Sequence, residues 1–113
     1  MYQYHITLDV METIVRFGLR PNRPDLIVDY LTTLKTLITH EQVQQERFSL
    51  ALRAAQLMHS AISDSNIPLA WRSMCADNIY LCIRLLQANT QSDHQETQFR
   101  IVQHQFAAIT NNA

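Results

Sequence analysis

The amino-acid sequence predicts an all-α domain, a compact bundle or irregular array of about five helices. Three observations predict it. Apolar residues recur every three or four positions over most of the chain, the spacing of a helix face turned toward a core. Gly18, Pro21, Pro24 and Pro68, the only glycine and prolines, fall between those runs rather than inside them. Only one segment, residues 1–8, alternates in the manner of a strand, and a lone strand has no partner for its backbone.

That first segment carries Tyr2, Tyr4, Ile6 and Leu8 at alternate positions. It fits either a helical or irregular start to the chain or a short extended piece pairing across an oligomer. Val10, Met11, Ile14, Val15 and Phe17 then form a wide apolar arc that stops at Gly18. With Asp9 and Glu12 as a capping box, they predict a first helix near residues 9 to 18.

Leu19 to Pro24 reads as a turn. A second helix follows, with Ile27, Tyr30, Leu31, Leu34, Leu37 and Ile38 on one side and Asp25, Asp29, Thr32 and Thr36 on the other. Thr39 and Gln42 are spaced as a second capping box and predict a close junction with helix three. In helix three a polar stripe of Gln42, Gln45, Ser49, Arg53, Gln56, Ser60 and Ser63 runs opposite Leu50, Ala51, Ala54, Leu57, Met58, Ala61 and Ile62. Its alanines predict close approach of neighbouring helices.

Pro68, at the end of the next interruption, suits the first turn of a fourth helix, where a missing N–H costs nothing. That helix carries Trp71, Met74, Cys75, Ile79, Leu81, Cys82, Leu85 and Leu86, and it fades at Asn89 to Gln91. Ser92 and Gln95 form a third capping box, opening a fifth helix with a narrow stripe of Phe99, Val102, Phe106 and Ile109. Residues 110–113 are a short polar tail. With 113 residues in all, one core and a single domain spanning 1–113 is the economical reading.

Charge and motif content narrow the function. Nine basic residues face ten acidic ones, for a net charge of -1, so no global field gathers phosphates or an acidic membrane. No apolar stretch approaches the roughly 20 residues that cross a bilayer. Neither a membrane insertion nor a secretory leader is expected, and a cytoplasmic location is. Cys75 and Cys82 lie two helical turns, about 10 Å, apart on one face, too far for a disulfide within a helix, and read as buried thiols. The five histidines, at 5, 40, 59, 94 and 104, include no i,i+4 pair, and no motif for a metal or cofactor appears. Asp25 and Asp29 share a face but sit where carboxylates favour a helix N-terminus. No catalytic residue is assigned.

Two features remain as candidate sites. Asn78 falls near the centre of the apolar arc of helix four, where its amide either makes an internal hydrogen bond that fixes helix register or reaches solvent or a ligand. The stripe Phe99, Val102, Phe106 and Ile109 either packs on its own domain or, with Tyr2 and Tyr4, serves as a candidate protein interface. The expectation is a non-enzymatic adaptor, chaperone or regulator that binds another protein, or a second copy of itself as a homodimer, through a hydrophobic helical surface. The alternative is a DNA-associated regulator using Arg16, Arg20 and Arg23; an enzyme of unspecified reaction ranks third.

Overall fold

The computed structural model describes the backbone of residues 2–111 and the side chains of residues 7–109. Among these, six α-helical segments are present: α1 (Tyr2–Phe17), α2 (Asp25–His40), α3 (Gln44–Ser63), α4 (Leu69–Asp77), α5 (Ile79–Ala88) and α6 (Asp93–Asn111). Only Asn78 separates α4 from α5, so the pair occupies the place of the single fourth helix that the spacing predicts.

α1 starts at Tyr2, not at Asp9, and residues 2–8 are helical rather than extended. The reason is visible in burial. Leu8, Glu12 and Val15 form one buried row at steps of four and three, so Leu8 belongs to a helical period and not to the strand-like alternation. Asp9 and Glu12 therefore lie inside the helix and form no capping box; both carboxylates reach Arg53 of α3 instead. The far end is as the glycine predicts. Gly18 has φ +60°, and Leu19 N–H donates to Ile14 O at 3.1 Å, closing a Schellman-type turn. A Cβ at Gly18 would stand 3.2 Å from Ile67 and 3.3 Å from the Trp71 ring, so the position demands glycine twice over. The Trp71 indole N–H donates to Val15 O at 2.9 Å, fastening α4 to the last turn of α1.

α2 buries all six residues of the predicted stripe, Ile27 to Ile38. The proposed Thr39/Gln42 capping box is absent. Thr39 is still helical and its hydroxyl donates to Lys35 O, while α3 opens two residues beyond Gln42. The junction is held by Glu41, whose carboxylate accepts from Val43 N–H, and by Arg47, which donates to the carbonyls of Glu41 and Gln42.

α3 is the axis of the fold and packs against each of the other five helices. Its buried face is built from Ala51, Ala54, Ala55 and Ala61, with Phe48 and Met58 filling the wider gaps. Small side chains on one helix let several neighbours approach at once. The seven residues of the predicted polar stripe are all exposed. The assembly spans 36 × 35 × 16 Å with a radius of gyration of 13.7 Å, so it is a slab with two broad faces.

The third capping box forms as predicted. Gln95 N–H donates to Ser92 Oγ at 3.1 Å, and the Gln95 side-chain Oε1 accepts from Ser92 N–H and Gln91 N–H. Gln95 is only 1% exposed, and its amide also pairs with Gln44 and Gln45 of α3. The start of α6 and the start of α3 are thus one hydrogen-bonded unit.

Candidate functional site

The predicted interface stripe is part of the core. Phe99, Val102 and Phe106 are 5%, 4% and 2% exposed, and Ile109 is half-buried against the same cluster. The narrow stripe of α6 joins the core cluster to which α3 also contributes, and the two helices are in contact. Phe106 also meets the edge of His59 with ring centroids 5.9 Å apart. These residues are not a free surface. The side chains of Tyr2 and Tyr4 lie outside the described residues.

Asn78 is half-buried, not central to the apolar face, and ends a helix instead of fixing the register of one. Its backbone turns at φ -103°, ψ 5°, and its N–H donates to Cys75 O rather than to the carbonyl four residues back. The side-chain amide then donates to Met74 O at 2.8 Å, supplying the bond that the backbone gave up. Asn89 repeats the device at the end of α5, with its N–H on Leu86 O and its amide on Leu85 O. The buried row across both helices is Trp71, Cys75, Ile79, Cys82 and Leu86, and Met74 and Leu81 are exposed beside it.

Cys75 and Cys82 are free and fully buried. Burial pushes the Cys75 thiol up to about 11 and, with Cys75 nearby, the Cys82 thiol up to about 12. Both stay protonated at neutral pH and act as small apolar side chains. Among the described residues, no three His, Cys, Asp or Glu side chains are placed to hold a metal ion.

The three candidate arginines do not act as one patch. Arg16 pairs with Asp64 at 2.9 Å and lies over the Phe17 ring, and Arg23 pairs with Asp25 at 2.9 Å. Arg20 alone of the three has no carboxylate partner among the described residues. The remaining arginines divide in the same way. Arg53 and Arg100 are held by carboxylates, Arg47 and Arg72 by main-chain carbonyls, and Arg84 has no carboxylate partner among the described residues.

The exposed Leu81 leads to a site that the sequence reading did not single out. Between α2 and α5 runs a groove of about 430 Å³, within the size range of ligand pockets. Val28, Leu31, Thr32 and Lys35 line one wall; Leu81, Arg84, Leu85 and Ala88 line the other. Each wall is an i, i+3, i+4, i+7 row, so each helix presents one straight ridge along about 10 Å. Val28 is 47% exposed and Leu81 49%, which leaves the apolar surface open to solvent. Lys35 and Arg84, one from each wall, are exposed and have no ion-pair partner among the described residues. No carboxylate lines the groove.

Part of this was readable. The apolar arc of residues 71–86 is broader than one buried face requires, and its excess, Leu81 and Leu85, became the α5 wall. Val28 gave no such signal, because it stands outside the clean stripe of α2. No helix of the described residues is long and apolar enough to cross a membrane. No known protein family, curated protein or solved structure matches this chain.

Proposed function

We propose that the protein is a non-enzymatic binding module, an adaptor, chaperone or regulator, that docks an amphipathic helix of another protein in the α2/α5 groove. The observation that carries this reading is the pair of facing apolar ridges, in which Val28 and Leu81 stand exposed above the buried Leu31 and the half-buried Leu85, on a molecule whose other large apolar side chains mostly enter one core. A helix laid between two ridges buries its own i, i+3, i+4, i+7 face against both, the general mode of helix-in-groove recognition. Burial of apolar area supplies the affinity, and the polar groups at the groove supply orientation.

The groove replaces the α6 stripe as the binding surface, because the stripe is occupied by the protein's own core. The test is selection of displayed helical peptides on the wild-type protein, followed by binding to Val28→Asp/Leu81→Asp. Both positions are exposed, so the fold should persist by circular dichroism. Loss of at least about tenfold in affinity supports the reading, since a charge inserted between apolar surfaces costs more than the roughly 1.4 kcal/mol that tenfold represents. Unchanged binding of every selected peptide contradicts it.

A further inference from the structure

We infer that the helix accepted by the α2/α5 groove is acidic, with carboxylates flanking its apolar face that reach Lys35 on one wall and Arg84 on the other; the inference rests on the helix-in-groove reading above. The distribution of basic side chains carries it. Arg16, Arg23, Arg53 and Arg100 are engaged by carboxylates, and Arg47 and Arg72 by carbonyls. Of the three basic side chains left without such a partner among the described residues, Arg20, Lys35 and Arg84, two line this one groove. With no acid beside them, they give an apolar groove a positive field, which favours a carboxylate-bearing partner and disfavours a basic one.

The same charges argue for a foreign helix over a second copy. Two grooves facing each other across a two-fold axis would bring two surfaces together that each carry Lys35 and Arg84 and no carboxylate. The other exposed apolar side chains of α1 and α6 are poor occupants as well. Val10 and Phe17 share α1 with Arg16, and Ile101 stands beside Arg100. Asp9, the carboxylate next to Val10, is taken by Arg53 at 2.7 Å. No exposed face of these two helices combines an apolar row with free carboxylates among the described residues.

The experiment is a charge swap read by selection. Displayed helices of about 16 residues, some 24 Å long, keep an apolar i, i+3, i+4, i+7 row, and their flanking positions vary among Glu, Gln and Lys. They are selected in parallel on the wild type and on Lys35→Glu/Arg84→Glu. The expected result is enrichment of Glu on the wild type and of Lys on the swapped protein, each winner binding about tenfold more weakly to the other protein, with a gap that shrinks in high salt. Identical flanking residues from both selections overturn the inference. In that case, binding that is still lost in Val28→Asp/Leu81→Asp leaves the groove reading intact. Failure to enrich any helix over that blocked variant removes the groove reading itself. A wild-type protein that self-associates, and that Leu81→Asp returns to a monomer, assigns the groove to a second copy and overturns the inference too.

Discussion

The side-chain amides of Gln44 and Gln95 form a reciprocal pair, each donating its N–H to the other's oxygen at 2.8 Å across the α3/α6 contact. Gln95 simultaneously serves the two N–H groups that precede α6, and Gln44 donates to Asn89 O at the end of α5. Three helix ends therefore meet at one pair of amides. Gln95→Ala removes a capping residue and leaves buried donors unpaired, so it should lower unfolding free energy by about 2–4 kcal/mol in urea titrations. Gln103→Ala, on the exposed side of the same helix, should change it by no more than about 0.5 kcal/mol. A Gln44/Gln95 double-mutant cycle should return a coupling of about 1 kcal/mol.

Tyr30 joins α2 to α1 in a different way. Its hydroxyl, fully buried, donates to the Glu12 carboxylate at 2.9 Å, and Arg53 holds the same carboxylate from α3. Glu12 is buried but paired on both oxygens. Tyr30→Phe deletes a hydrogen bond to a charged group and should cost about 1.5–3 kcal/mol, measured by the same titration. Glu12→Ala should cost at least as much, because it strips a ligand from both the phenol and the guanidinium.

Asn78 now predicts the opposite of a register-fixing polar core. Asn78→Leu leaves Met74 O without the side-chain donor that replaced its helical bond, at a position partly open to water. Stability should fall by about 1 kcal/mol with no change in solution mass. A gain in stability would mean that α4 and α5 fuse into one straight helix.

The buried thiols set an alkaline limit. Their ordinary value is 9.0, and in the fold they hold their protons up to about 11 and 12. Above pH 9 the unfolded chain loses protons that the native chain keeps, so this contribution to stability is complete below pH 9 and declines as pH rises toward 11 and 12. Tyr30, also raised by burial, acts in the same direction. The melting temperature should therefore fall between pH 8 and pH 11. Cys82→Ala should start lower because of its small cavity and fall less steeply. Parallel slopes for the two proteins would contradict this assignment. At neutral pH neither thiol should react with iodoacetamide until the protein unfolds.

How far the sequence foretold this arrangement depends on whether local or distant neighbours decide each feature. The six-residue stripe of α2, the polar stripe of α3, the Gly18 stop and the Ser92/Gln95 box rest on residues within a turn or two, and all appear as expected. The Asp9/Glu12 and Thr39/Gln42 boxes have the same spacing as Ser92/Gln95 but fail, because the backbone at Asp9 and Thr39 is still helical and cannot present an open N-terminus. Arg53 looked like one more exposed residue of a polar stripe, yet it recruits Asp9 and Glu12 from more than forty positions away. For Phe99, Val102 and Phe106 the sequence leaves core and interface both open, and burial decides for the core. A narrow stripe looks unpartnered until α3 is placed against its helix. The groove needs both α2 and α5, and neither wall is a motif alone.

The most direct measurement of the central claim is methyl NMR during titration of the wild type with a selected acidic helical peptide. Saturable shifts concentrated at Val28, Leu31, Leu81 and Leu85 are expected, and in Lys35→Glu/Arg84→Glu the same shifts should need about tenfold more peptide. Shifts centred on Val10 or Ile101, with the four groove residues unmoved, would contradict that claim.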